Sequence, residues 1–242
     1  MRASAARIEF PFERGRRYLI RELRSFEAGL LIARQRDQEF SKLLRDPRGS
    51  APRWMALRNK ELVPLKLYAD HVGLSDDDQF LLRPEGDPVD AQIVAANQIV
   101  NLQLTLAAPI WGSEGGPQGN SGYQHHQIMA ALNENEFVVG YPPFANENGV
   151  AMGAIGAISN EGRDHACRDG LTSAIATKAL HDGRGSTLVV FAQDFYMQLL
   201  DAYLLGALVD TVLSKQSLSF DSICVFDNQP GFFVERVGCL PV

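Results

Sequence analysis

Polar side chains recur at every second position along two neighbouring apolar segments, Val89–Ala95 and Ile99–Ala107. The segments are joined across Ala96-Asn97-Gln98, which predicts a pair of adjacent strands. Side chains alternate across a strand, so the polar ones are expected on one face of the sheet. They are Asp90, Gln92, Asn101, Gln103 and Thr105. Such a row on strands rich in Val, Ile and Leu predicts a site built on a hairpin, and the alternative is a hydrogen-bonded polar ladder within the sheet.

Nucleophilic catalysis by Cys167 is a second chemistry that the residue types allow. The nucleophile needs a base within hydrogen-bond reach. His165 lies two residues away on the same predicted helix and points elsewhere. The base would have to be His125 or His126, on another element. A buried helical cysteine without catalytic function is the simpler interpretation.

Helices are predicted for the N-terminal part of the chain, about residues 17–71. Apolar residues recur near helical spacing over Arg17–Leu44, and Asp46-Pro47-Arg48-Gly49 ends that helix. A second helix is predicted over Trp54–His71, with Pro64 expected to kink it or to mark a break after Leu62.

Strands and helices alternate in the remainder of the chain, which predicts one α/β domain over residues 1–242 with a mixed sheet. A glycine-rich loop is expected at Trp111–Gly122. Strands are expected at Phe80–Leu82, Phe137–Gly140, Thr187–Gln193, Phe220–Asp227 and Phe232–Arg236, in addition to the hairpin. Helices are expected at His125–Glu134, His165–His181 and Tyr196–Leu213.

Composition and charge exclude several classes of protein. The formal net charge of -6 and a pI near 5.4 argue against binding nucleic acid by bulk electrostatics. Three cysteines without a CxxC or Cys/His spacing indicate reduced thiols and no structural zinc. The N-terminus has no apolar stretch typical of a leader, and no segment approaches the roughly 20 apolar residues of a membrane span. We therefore expect a soluble, cytoplasmic protein that does not enter a membrane.

The order of elements from about Arg17 onward resembles the PD-(D/E)XK, or restriction-endonuclease-like, superfamily, and more closely its uncharacterised bacterial members. In that family a helix carrying a glutamate precedes a strand with an aspartate, and the next strand bears (D/E)-x-K. Pro88-Val89-Asp90 matches the aspartate strand, and Gln103-Leu104-Thr105 stands where the second acid and the lysine are expected. The later runs LTSAIATKALHDGRGSTLVVFAQD and FDSICVFD are similar to the closing elements of those members. The resemblance implies a restriction-endonuclease-like mixed sheet flanked by helices, in a single domain.

The resemblance also implies a magnesium site. A divalent cation held by oxygen ligands positions a water and stabilises the charge that develops on a phosphate during hydrolysis. Asp90 is the expected anionic ligand, with the side-chain oxygen of Gln103 and the main-chain carbonyl of Leu104. Threonine cannot supply the positive charge that the family's lysine provides at the position of Thr105. Lys178, on the later helix, is the candidate that replaces it.

A further carboxylate for the metal has three candidates on the predicted N-terminal helices, namely Glu22, Glu27 and Glu61. Glu61 is the one assigned to the metal, and the alternative for each is a solvated surface residue. If Asp90 is a site carboxylate, the substitution Asp90→Ala is expected to leave stability roughly unchanged.

The function expected from the resemblance is magnesium-dependent hydrolysis of phosphodiester bonds in DNA. The alternative is a catalytically inactive member of the fold that acts as a binding or interaction module, which the neutral Gln103 and Thr105 and the acidic net charge favour. Whether the protein is an enzyme is left open at this point. A homodimer is expected through apolar surface on the long helices, because many nucleases of this fold pair to cut both strands.

Overall fold

The computed structural model describes residues 10–36, 53–96, 98–110, 144–145, 151–152, 160–180, 182–195, 199, 201–216, 218–227, 229 and 231–238. Its helices are α1 (Ile20–Arg36), α2 (Arg53–Leu57), α3 (Val63–His71), α4 (Asn160–Ala179) and α5 (Ala202–Leu213), with a π-helical segment (Arg58–Leu62) between α2 and α3. Its strands are β1 (Arg17–Leu19), β2 (Gln79–Leu82), β3 (Ala91–Ala95), β4 (Gln98–Ala107), β5 (Phe144–Ala145), β6 (Ala151–Met152), β7 (Ser186–Ala192), β8 (Ser222–Phe226) and β9 (Phe233–Val237).

Seven of these strands form one mixed sheet in the order β1-β2-β3-β4-β7-β8-β9. The first four strands are antiparallel neighbours, β4, β7 and β8 are parallel, and β9 returns antiparallel to β8. Parallel neighbours need a crossover connection, and α5 lies between β7 and β8 in the chain. Strands β5 and β6 form a separate antiparallel pair. The prediction of an α/β protein with a mixed sheet is therefore confirmed.

Helices cover both faces of the large sheet. One buried cluster joins α4 and α5 to β7, β8 and β9, and includes Leu171, Val190 and Val225. The other joins α1, the π-helical segment and α3 to β2, β3 and β4, and includes Leu23, Leu104 and several aromatic rings. Strand β7 is buried along its whole length, as expected of a strand with helices on both sides.

The predicted hairpin is confirmed, as β3 and β4 pair antiparallel with Gln92 opposite Asn101. Leu102 and Leu104 belong to the cluster beneath α1 and α3. Because side chains alternate, Gln103 and Thr105 lie on the opposite face, towards α4. The turn begins at Ala96, whose φ of 46° is in the left-handed region.

The first predicted helix is wrong at its start. Residues Arg17–Leu19 form the edge strand β1, which pairs antiparallel with β2, and the helix begins at Ile20. The helical pattern of the sequence extends into this strand because the spacing of Leu19 and Leu23 fits a helix, while Leu19 alone also fits a strand. Pairing with β2 decides that Leu19 is in a strand. The predicted end of the helix near Leu44 lies outside the described residues.

The second predicted helix contains the expected irregularity beside Pro64. Proline has no N–H to give to the carbonyl four residues earlier. The chain forms a π-helical segment that ends at Leu62, and the N–H of Val63 donates to the carbonyl of Arg58, five residues back. Pro64 then lies in the first turn of α3, where a missing N–H is tolerated.

The later predicted elements agree with the structure in type, with shifted ends. Helix α4 and strands β7, β8 and β9 correspond to four of them. The predicted helix Tyr196–Leu213 is confirmed from Ala202 as α5, where extended Asp201 caps the N–H of Tyr203. Leu199 is also helical, and residues 196–198 and 200 lie outside the described residues. The loop at Trp111–Gly122, the helix at His125–Glu134 and the strand at Phe137–Gly140 lie outside the described residues.

Helix α4 is fixed closely against the segment that follows β4. The N–H of Ile110 donates to the carbonyl of Ala166 at 2.8 Å. A Cβ atom on Gly170 would lie against the main-chain carbonyl of Ala108, closer than real Cβ atoms approach. Only glycine at position 170 therefore allows α4 to pack in this way.

We expect Gly170→Ala to lower the free energy of unfolding by about 1–3 kcal/mol, the usual cost of overpacking. Gly29→Ala is the matched control, since Gly29 lies in helix α1 with open space around its Cα. Alanine there is expected to stabilise the protein by about 0.5–1 kcal/mol. Urea unfolding of both variants checks the prediction, and equal stability of the two would contradict it.

Among the described residues, no helix combines the length and the apolar character that crossing a membrane requires.

Candidate active site

Asp90 lies immediately before β3, at the end of the hairpin ladder. Its N–H donates to the carbonyl of Leu102, and its carboxylate Oδ2 accepts from the N–H of Leu104 at 2.7 Å. Continuing the register of β3 and β4 places Asp90 across from Gln103. The Asp90 carboxylate therefore accepts from β4 where a main-chain carbonyl would continue the ladder. This hydrogen bond fixes the position of the carboxylate.

Lys178 reaches this carboxylate from α4. Its Nζ lies 2.5 Å from Oδ2 of Asp90 and donates to Oε1 of Gln103 at 3.0 Å. The lysine side chain is only 8% exposed, and that of Asp90 is 24% exposed. One buried ammonium therefore joins the two polar residues that the sequence places opposite each other on the hairpin.

Gln103 is engaged at both ends of its amide. Its Oε1 accepts from Lys178, and its Nε2 donates to the main-chain carbonyl of Pro88. The amide orientation is therefore defined by one donor and one acceptor. Within the described part of the chain, Thr105 is buried without a hydrogen bond to Asp90, Gln103 or Lys178.

Glu61 approaches the same region from the π-helical segment, which packs against β4. Its Oε1 accepts from Nη2 of Arg14 at 2.6 Å. Its other oxygen, Oε2, is buried without a hydrogen-bond partner among the described residues. Burial raises the pKa of Glu61, Arg14 opposes that shift, and the negative charge of Asp90 adds to it. Glu61 and Asp90 are thus two carboxylates within electrostatic reach of each other.

The other two glutamates considered for the metal have structural partners. Oε2 of Glu22 accepts from the N–H of Leu19 at 2.7 Å, at the start of α1. Glu27 is buried and forms a bidentate ion pair with Arg58. A carboxylate held in this way joins helix α1 to the π-helical segment. Of the three, only Glu61 has a buried oxygen left without a partner in the described structure.

The remaining residues of the polar row form a hydrogen-bonded ladder. Nε2 of Gln92 donates to Oδ1 of Asn101 at 2.9 Å, and Nδ2 of Asn101 donates to the carbonyl of Gly185 at 3.4 Å. These two residues satisfy each other across the strands, as the alternative interpretation of the row expects. The row therefore divides into a ladder at one end and the lysine-centred contacts at the other.

Cys167 lacks the setting of a nucleophile. The residue is fully buried in the cluster beneath α4, and burial raises the pKa of its thiol. A reactive cysteine needs a lowered pKa so that the thiolate forms. His125 and His126, the bases considered for it, lie outside the described residues. The geometry of Cys167 is that of a packed core residue.

A divalent cation fits these residues only through a small set of ligands. No group of three or more His, Cys, Asp or Glu residues that could bind a metal occurs in the described ranges. The oxygen donors of this region are the Asp90 carboxylate, the buried oxygen of Glu61 that has no partner among the described residues, and neutral oxygens, which are the ligand types that a hard cation prefers. For Leu104, the described contact to Asp90 uses the N–H.

Arg14 is the member of this region that sequence reasoning did not find. It lies in the N-terminal segment before β1, far in sequence from both Glu61 and the hairpin. A single arginine in an arginine-rich segment carries no signal that distinguishes it from its neighbours. Only the fold places its guanidinium against Glu61.

No protein-family model, curated protein or solved structure matches this chain. The structure itself defines a mixed α/β protein in which Lys178 bridges the carboxylate of Asp90 and the amide of Gln103 at the end of a β-hairpin.

Proposed function

We propose that this protein is a magnesium-dependent nuclease of the restriction-endonuclease-like fold that hydrolyses phosphodiester bonds in DNA. The observation that carries the proposal is the meeting of Lys178 with Asp90 and Gln103 at the end of the hairpin. The family that the sequence resembles has an acid, a lysine and a bound cation at the corresponding end of the hairpin. Lys178 supplies the positive charge that Thr105 lacks.

Asp90 and Glu61 are the residues proposed to hold the cation, with the oxygens of Gln103 and Leu104 as neutral ligands. The buried Oε2 of Glu61, which has no partner in the described structure, supports this assignment. A buried carboxylate oxygen without a hydrogen bond is costly, and a cation offsets that cost. When bound, magnesium would lower the pKa of a coordinated water and stabilise the negative charge that develops on the phosphate.

Lys178 is proposed to act on the reacting phosphate or on the attacking water. Its ammonium has three N–H donors, and it donates to Asp90 and to Gln103 in the described structure. Both acceptors lie on the sheet, so the ammonium is held in place before substrate binds. Such preorganised charge is the usual source of transition-state stabilisation in phosphoryl transfer.

A second candidate is an inactive member of the same fold that binds a partner without hydrolysis. The observation that favours it is that Lys178 already neutralises Asp90, while no cluster of three metal-ligating acids, histidines or cysteines occurs in the described ranges.

The proposal extends to a cytoplasmic location and a homodimer. Leu31 and Ile32 are exposed apolar residues of α1, one of the long helices expected to pair.

The test is a calorimetric titration of Mg²⁺ and Mn²⁺ into the metal-free protein, followed by cleavage assays on plasmid and single-stranded DNA. Asp90→Asn is the site variant. Asp87→Asn is its matched control, since Asp87 is similarly half-buried and pairs with Arg83 rather than with Lys178.

Saturable binding by wild type and Asp87→Asn, lost in Asp90→Asn, together with metal-dependent cleavage, supports the nuclease. Binding without cleavage on either substrate favours the inactive binding module. An absence of binding by the wild type contradicts the proposed metal site.

A further inference from the structure

Arg14 connects Glu61 to the main chain beside Asp90 through one guanidinium group. Its Nη2 donates to Oε1 of Glu61, and its Nη1 donates to the carbonyl of Arg83, both at 2.6 Å. The N–H of Arg83 in turn donates to the carbonyl of Asp90 at 2.9 Å. The chain of contacts therefore runs from Glu61 to the main chain of Asp90, through three hydrogen bonds.

The backbone around Arg14 is fixed before the side chain reaches the site. The N–H of Gly15 donates to the carbonyl of Leu82 at 2.8 Å, beside the end of β2. Gly15 has a φ of 81°, which only glycine adopts without strain. The N–H of Glu13 donates to the hydroxyl of Tyr18 at 2.7 Å. The turn that presents Arg14 is thus attached to β2 and β1 on either side.

We propose that Arg14 is a positioning residue that sets the separation of the Glu61 and Asp90 carboxylates for a divalent cation. This inference rests on the proposed function, since it assumes that both carboxylates bind the metal. Arg14 donates to Oε1 of Glu61 through a planar guanidinium group, which restricts the orientation of the carboxylate, and Oε2 has no partner in the described structure. Groups that orient metal ligands in this way influence affinity strongly.

A matched ion pair on the same π-helical segment provides the control. Arg58 pairs with Glu27, and the exposed fractions of these side chains are 24% and 8%, against 25% and 8% for Arg14 and Glu61. Both pairs attach the segment to a neighbouring element. Only the Arg14 pair includes a proposed metal ligand. Arg14→Gln and Arg58→Gln therefore remove equivalent ion pairs with different relations to the site.

The experiment measures Mn²⁺ affinity by calorimetry and the bound Mn²⁺ spectrum by electron paramagnetic resonance, with thermal unfolding of each variant. We expect Arg14→Gln to weaken Mn²⁺ binding by about 10-fold or more and to change the spectrum. Arg58→Gln is expected to lower the melting temperature without changing affinity. Arg14→Lys, which keeps the charge and one donor to Glu61, is expected to recover part of the affinity.

The sign of the change separates positioning from simple electrostatics. Removal of a positive charge beside a cation site would by itself strengthen binding, whereas loss of Arg14 also raises the pKa of Glu61 and favours its protonated form. Weaker binding by Arg14→Gln that persists as the pH is raised, where Glu61 is ionised in both proteins, identifies the lost positioning. Unchanged or stronger binding by Arg14→Gln overturns the inference while the wild type still binds. No binding by the wild type overturns the proposed function and this inference with it. If Arg14→Gln does not fold, Arg14→Lys decides, because it keeps the charge and changes only the geometry: weaker Mn²⁺ binding than wild type supports the inference, and unchanged binding overturns it.

Discussion

Replacing Lys178 with methionine is expected to lower the rate of the proposed DNA hydrolysis by about 100- to 1000-fold, the usual effect of losing one preorganised donor to the transition state. Methionine keeps much of the buried aliphatic volume and removes only the charged donor. The two carboxylates proposed to hold the cation stay in place. We therefore expect saturable Mn²⁺ binding to persist while the single-turnover rate of DNA cleavage falls by this factor.

Lys66→Met is the control for this prediction. Lys66 is also a lysine paired with an aspartate, at 2.7 Å from Asp70, but it lies on α3 and is 31% exposed. Its replacement is expected to leave cleavage within about twofold of wild type, because surface pairs contribute little. Cleavage by Lys178→Met at the control rate would remove Lys178 from the proposed mechanism.

Asp90→Ala is expected to lower the free energy of unfolding by about 3 kcal/mol and to abolish Mn²⁺ binding. The substitution leaves the buried Lys178 ammonium without its anion and removes the acceptor for the N–H of Leu104. These contacts lead to a different expectation from that of the sequence, in which a site carboxylate at Asp90 leaves stability roughly unchanged on Asp90→Ala.

Two further variants separate these effects. Asp90→Asn retains an acceptor for Leu104 and is expected to be more stable than Asp90→Ala. The double variant Asp90→Ala with Lys178→Met removes both charges and is expected to be more stable than Asp90→Ala alone, since the coupling between contacting groups is not additive. Urea unfolding measures each value. Wild-type stability in Asp90→Ala would show that the Lys178 pair contributes nothing to folding.

The hairpin and its polar row were predictable because they depend on local geometry. A strand has a side-chain period of two, so the polar positions of 90, 92, 101, 103 and 105 define one face without knowledge of the fold. The same alternation accounts for Leu102 and Leu104, which are buried together on the other face. What period alone could not decide is which of the five residues meet a partner and which form a ladder.

The ladder and the site differ because of what packs over each end of the row. Gln92 and Asn101 bond to each other. Asp90 and Gln103 lie beneath α4, which brings Lys178 to both. The sequence separation between the hairpin and Lys178 is long, so no local rule could align them. Lys178 was named from the sequence only through a family resemblance, and its role in catalysis stays a prediction.

The choice among the helix glutamates shows the same division. From the sequence, Glu22, Glu27 and Glu61 are candidates on predicted helices, and Glu61 is the one assigned to the metal. The structure gives Glu22 a cap and Glu27 an arginine partner, while Oε2 of Glu61 is left buried without one in the described part of the chain. Ion pairing depends on which helices pack together, and that arrangement is absent from any single segment of sequence.

The sequence by itself determined the α/β class, the hairpin and the break beside Pro64, because strand period, helix spacing and proline chemistry act within a few residues. Only the tertiary structure decided that Arg17–Leu19 is an edge strand, that Lys178 meets Asp90, and that Arg14 holds Glu61. Those contacts join residues far apart in the chain. Their positions follow from the packing of the helices on the two faces of the sheet, which is a property of the whole fold.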